Sequence, residues 1–136
     1  MPRRAPIAAH RAATEHSTVA ALMDLASEAC PEGHWPVFKG ESRAMQVGVL
    51  YNRDAQLANI MLDLLRAEGD LVVGDNAPYA VSDTTDYGVP VHAERRGLRH
   101  VEIEIRQDLI ADAAGQSAWA ARFERLLRAA LQRLPC

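Results

Sequence analysis

The sequence predicts an α/β fold, a largely parallel sheet flanked by helices, and three observations point to it. β-prone and helix-prone stretches alternate along the chain. One of these steps is sharply marked: the run "MQVGVLY", residues 45–51, gives way at Asp54 to a stretch with helical periodicity. The 136 residues, 49% hydrophobic and 24% charged, also suit one soluble domain with a modest core.

Each element follows from local pattern. Over residues 18–29, Val19, Met23 and Ala26 recur at helical spacing with Leu22 beside them, so a short amphipathic helix is expected. "CPEGHWPVFKGES" then breaks it with prolines and glycines. In "MQVGVLY", Val47 and Val49 mark a strand whose Gly48 would admit a close backbone or ligand. Asp54 is placed to cap the next helix, which carries Leu57, Ile60, Met61 and Leu64 and should stop at Gly69. A very short strand at Leu71–Val73 leads into a turn-rich loop through Gly74, Asn76 and Pro78. Residues 89–96 suggest a short helix stopped by Gly97. The final helix is predicted from the apolar stripe Trp119, Phe123, Leu126, Leu127, Ala130, Leu131 and Leu134, with Arg122, Arg125, Arg128 and Arg133 as its wet face.

Charge and cysteine content exclude some roles. A formal charge of -3 gives no broad electrostatic attraction to nucleic acid or anionic membrane. Cys30 and Cys136 form neither a disulfide framework nor a zinc cage, so a reducing cytoplasm is the expected compartment. The opening "MPRRAPIAAHRAATEH" has no long apolar segment behind it and reads as neither secretory signal nor membrane span.

Chemistry concentrates in "HVEIEIRQDLI", residues 100–110. Val101, Ile103 and Ile105 alternate with Glu102, Glu104 and Arg106, so a strand here turns three charged side chains to one face. A carboxylate held this way can take a proton from an attacking water, and an arginine fork can grip a substrate carboxylate. A half-exposed strand of no special function alternates in the same manner. In parallel α/β sheets ligands gather beyond the carboxyl ends of strands, where this reading places Glu104 and Arg106.

Four segments in order, "PVFKGESR" with "VGVLYNRD", then "VGDNAPY", then "HAERRGLRHVEIEIRQDLI", resemble the C-terminal half of the N-formylglutamate amidohydrolase family, deformylases linked to histidine breakdown. The resemblance covers roughly residues 36–120. It implies a metal-dependent hydrolase on a fold related to zinc carboxypeptidases and cell-wall amidases, cleaving the formyl amide of N-formylglutamate or a related N-acyl amino acid. It also implies that Glu104 is the general base. Arg106 is expected to bind substrate or order the site, with an ion pair to Glu102 or Asp108 as the plain alternative. Arg43, Asn76, Tyr79 and His92 fall in signature segments near the cleft and are expected substrate-binding residues, although Asn76 also suits a turn and His92 a structural hydrogen bond. Asn52, Arg53 and Asp54 belong to the same segments.

The chain departs from the family before residue 36. Where relatives carry "HSFTP", with a metal-ligating histidine, this sequence reads "EGHWP", which puts Glu32 in that register and His34 two residues on. Both are candidate zinc ligands, and an ordinary loop is the alternative. His10 and His16 have no partner spacing for a metal. The "CEHAS"-like and "DIGA"-like segments that supply further ligands in relatives do not occur here, whereas a catalytic zinc needs about three protein ligands. Residues 1–35 are therefore expected to be a divergent segment with a helix, and residues 36–136 the C-terminal half of the family domain. A truncated remnant that binds a partner or ligand without turnover is the competing reading. Its sheet would have an unpaired edge that favours self-association.

Overall fold

The computed structural model describes residues 36–38 and 41–135. The helix expected over 18–29 lies outside the described residues, as do Glu32, His34, His10 and His16. At the start of the described chain, Val37–Phe38 (β1) pairs antiparallel with Glu41–Ser42 (β2).

The run at 45–51 forms β3, Val47–Leu50, buried throughout. Helix α1, Gln56–Ala67, follows and buries Leu57, Ala58, Met61, Leu62, Leu64 and Leu65, the face that its apolar spacing defines. Asp54 does support its start, accepting the Gln56 N–H at 3.0 Å, but from one residue outside the boundary residue Ala55. Gly69 leaves the helix at φ 76°, a left-handed conformation that costs glycine little.

Strand β4 covers Val73–Asp75, two residues later than the sequence suggests. Before the ladder begins, Gln46 holds the incoming chain: its side-chain oxygen accepts the Val72 N–H at 2.7 Å, and its own N–H reaches the Val72 carbonyl at 3.0 Å. A π-helical turn, Gly88–Ala93, and a 3₁₀ turn, Glu94–Arg96, stand where a short helix is expected, and Gly97 ends them at φ 63°. β5 is Glu102–Ile105; a 3₁₀ turn, Gln107–Ile110, leads to helix α2, Ala113–Arg133. Asp112 caps α2 through the Gly115 N–H at 2.8 Å.

The described sheet has the order β4-β3-β5 and is mixed, which corrects the expectation of a largely parallel one: β4 runs parallel to β3 and β5 antiparallel to it. Glu104 therefore sits opposite Gly48, midway along the β3–β5 pairing, and the Arg106 N–H donates to the Gln46 carbonyl at 2.8 Å, beside the amino end of β3. Neither residue joins the carboxyl ends of β3 and β4. The α/β expectation holds, but the strand-end argument for these two residues does not.

Both helices pack on the sheet face that carries Val47, Val49, Ile103 and Ile105. Val47, Val49, Met61 and Leu65 are completely buried there, and Trp119 stacks on Phe123 with ring centroids 5.8 Å apart. In α2 the buried line is Trp119, Ala120, Phe123, Leu126 and Ala130. Leu131, expected in the stripe, is 64% exposed, because one residue past Ala130 turns about 100° away from that line. The predicted wet face is also only partly wet. Arg122 clasps Asp70, and Arg125 binds Glu68 at 2.9 and 2.7 Å, so two of its arginines tie α2 to the end of α1.

Candidate active site

The opposite sheet face is built from small residues and carboxylates. Gly48 and Gly74 lie side by side in the ladder, and Glu104 flanks Gly48 from β5. A Cβ on Gly48 would overlap the Ala77 carbonyl oxygen and come within 3.3 Å of the Pro78 ring; a Cβ on Gly74 would come within 2.8 Å of the same oxygen. The turn-rich loop after β4 is thus laid directly on the sheet, beside Glu104, because glycine occupies both positions. The sequence signal was Gly48, and its close neighbour is backbone.

Glu102 and Glu104 are half-buried on this face, as strand alternation requires. Burial pushes the Glu104 carboxyl above the usual range, the Glu102 charge pushes it further, and the Arg43 charge opposes both. Glu102 is raised too, by burial first and then by Asp86. A carboxyl of raised basicity beside a covering loop is the arrangement a general base needs.

The other predicted residues divide by what they hold. Arg106 makes a two-pronged ion pair with Asp108 at 2.7 and 3.1 Å and donates to the Arg43 carbonyl at 2.8 Å, so it orders the chain beneath Glu104. Arg43 is also fixed through its N–H to the Pro36 carbonyl at 2.8 Å. Asn76, at φ 47°, is a latch: its N–H reaches the Val49 carbonyl and its side-chain oxygen accepts the Tyr51 N–H, both at 2.9 Å. Tyr79 is exposed just beyond Pro78. His92 is exposed in the π-helical turn, its ring edge-on to Tyr87 at 5.3 Å. The structure brings Glu104 and Arg43 into electrostatic contact, and gives Asn76 and Arg106 architectural work.

Glu94 went unread in the sequence. Its side chain is only 5% exposed, and it accepts the Arg53 N–H at 2.7 Å, the Asn52 amide at 3.1 Å and the Arg53 guanidinium at 2.8 Å. It thereby joins the "YNRD" and "HAERRG" segments. Followed in sequence by Arg95 and Arg96, it carries no local signal of burial. Burial works against its charge, but these donors outweigh it and hold the Glu94 carboxyl below the usual range. A depressed native pKa makes the charge stabilising above the unfolded-state value, with loss as pH falls through the native value. Glu94→Gln should therefore lower the thermal midpoint at neutral pH, and the gap from wild type should narrow in acid; equal melting at pH 7 would contradict the clamp.

Among the described residues no group of three or more His, Cys, Asp or Glu side chains could hold a metal ion. No helix among them is long and apolar enough to cross a membrane. Residues 5–111 match the profile of the N-formylglutamate amidohydrolase family. A crystal structure of a gene product from Agrobacterium tumefaciens is similar, with 32% identity and a TM-score of 0.67, over 84% of this chain and 48% of that one. The chain spans about half the length of that structure. No curated protein matches it.

Proposed function

Since this chain belongs to the N-formylglutamate amidohydrolase family, we propose that it is a hydrolase for the formyl amide of N-formylglutamate or a related N-acyl amino acid, with Glu104 as general base. One observation carries the reading: Glu104 is a half-buried carboxylate of raised basicity on the sheet face opposite the core, beside a loop that two glycines admit. In this mechanism Glu104 takes a proton from the attacking water and returns it to the leaving nitrogen, so that the amine departs neutral. The positive charge at Arg43, with Arg106 behind it, favours binding of the substrate carboxylates; Tyr79 and His92 are the exposed polar rings available to the same ligand. The expected partner is this small molecule, and the expected compartment the cytoplasm.

A zinc-activated water is the finer form of this proposal. The described residues do not gather a ligand set for it, and the candidate ligands Glu32 and His34 lie outside them. A second reading, binding of an N-acyl amino acid without turnover, rests on the sequence, which has no "CEHAS"-like or "DIGA"-like segment. Incubating the full chain with N-formylglutamate, with and without added Zn²⁺, and measuring formate separates the two. Formate release supports the hydrolase; saturable binding with no formate supports the second reading.

Glu102 supplies a further check. Its charge raises Glu104, and a base works only when deprotonated. Glu102→Gln should shift the acid limb of the activity profile to lower pH, and an unmoved limb would disconnect the two carboxylates.

A further inference from the structure

The corner between β3 and α1 is strapped to the chain entering β5 by two side-chain pairs. Arg99 reaches Asp54 at 3.4 Å, and next to it the His100 ring stands 3.6 Å, Nε2 to Oε1, from Glu94. Both members of the second pair are buried, their side chains 8% and 5% exposed. Glu94 is the clamp on residues 52–54, and His100 comes two residues before Glu102, where β5 begins.

The ring's hydrogens follow from its neighbours. Nδ1 lies 2.9 Å from the Leu98 carbonyl oxygen, which can only accept, so Nδ1 bears a hydrogen and donates it. A neutral ring would then leave a bare lone pair at Nε2. That nitrogen is buried and makes no hydrogen bond, and the Glu94 oxygen 3.6 Å away is a charged acceptor. Two acceptors turned on each other away from water repel, and a buried polar atom is left unsatisfied; a hydrogen on Nε2 removes both costs. Glu94 is charged and ready for it, because its donors hold its carboxyl below the usual range.

We propose that His100 carries a second proton at Nε2 in the folded chain and donates it to Glu94, so that the strap ahead of β5 is closed by a proton. The gap need shrink by less than an ångström to reach the length of a charge-assisted hydrogen bond, about 2.8 Å. The surrounding charges leave Glu94 open to this partner. Arg53 divides its guanidinium between Glu94 and Asp83, Asp83 also feels Arg95, and Arg99 turns to Asp54.

A proton held in the fold ties stability to pH. An unfolded chain releases its histidine protons near the ordinary value of about 6.5. The stability that the pair contributes is present in full below that value and is withdrawn at higher pH, as the folded ring gives up its proton. The strap leading into the strand of Glu102 and Glu104 then loosens. This device stands whether or not Glu104 is a base.

Nitrogen-15 NMR of the imidazole rings in the full chain tests the proposal, with His100 identified by the signal lost in His100→Asn. At about pH 7.5, where an ordinary histidine is mostly neutral, both His100 nitrogens should bear hydrogens, and Glu94→Gln should strip Nε2 of its own. A ring with a single hydrogen in the wild type at that pH would overturn the proposal, as would a second hydrogen that Glu94→Gln leaves in place. Denaturation of the wild type, His100→Asn, Glu94→Gln and the double variant gives another readout. Coupling between the two positions should alter the unfolding constant about tenfold near pH 6 and vanish by about pH 9.5. Coupling of equal size at both values would mark a packing contact and overturn the proton catch.

Discussion

Glu104→Gln will abolish most turnover while leaving the fold as stable as wild type or more so. General acid-base groups contribute about a hundred- to ten-thousand-fold to rate, and a fall in that range is the expected loss of formate release. The stability half of the result distinguishes a working carboxylate from a structural one. Glu104 keeps its proton to higher pH in the folded state than in the unfolded state, because burial and then Glu102 disfavour its charge. Between the unfolded and native pKa values the native state binds more protons, so stability declines as pH rises through that window. Above it, the charged side chain burdens the fold, and neutral Gln relieves the burden. Activity lost with the melting midpoint kept identifies a group held for chemistry. Activity and midpoint falling together would make Glu104 a structural residue.

Gly48→Ala is expected to be the most damaging single-atom change on this face. The added Cβ overlaps a main-chain oxygen, that of Ala77, and a backbone atom cannot swing aside as a side chain can. Val47 and Val49 on either side are completely buried, so β3 cannot retreat either. Overpacking of this kind costs about 1–3 kcal/mol, and here the loop carrying Asn76 and Tyr79 must lift off the sheet. Chemical denaturation should show a lower midpoint, and formate release should fall even where the protein remains folded. Gly74→Ala meets the same oxygen less closely, along with the pliable side chain of Met45, and should be milder. Equal stability of Gly48→Ala and wild type would mean the loop does not rest on the sheet.

Periodicity made the helices legible. The spacing of Leu57, Met61 and Leu64 and of Trp119, Phe123 and Leu126 identifies their buried faces, since each stripe is read within one element. Strand direction was not legible in the same way. Nothing in "VEIEI" distinguishes a strand running with Val47–Leu50 from one running against it, because alternation is the same in both directions, and direction is set by the long connection through Gly88–Arg96. The site divides along the same line. The shared face of Glu102 and Glu104 is a local property of one strand and could be read directly. The Glu94 clamp depends on contacts across some forty residues of chain, and Asn76 is a latch only because Tyr51 and Val49 lie across from it. Local pattern carries no record of such partners.

The most direct measurement of what Glu104 is held for is its carboxyl titration by carbon-13 NMR in the full chain. A base kept ready by burial and by Glu102 titrates above the ordinary glutamate value of 4.5, and its midpoint moves down in Glu102→Gln. A midpoint at or below 4.5, unmoved by that substitution, would show an ordinary solvated side chain and contradict the assignment of Glu104 as the base.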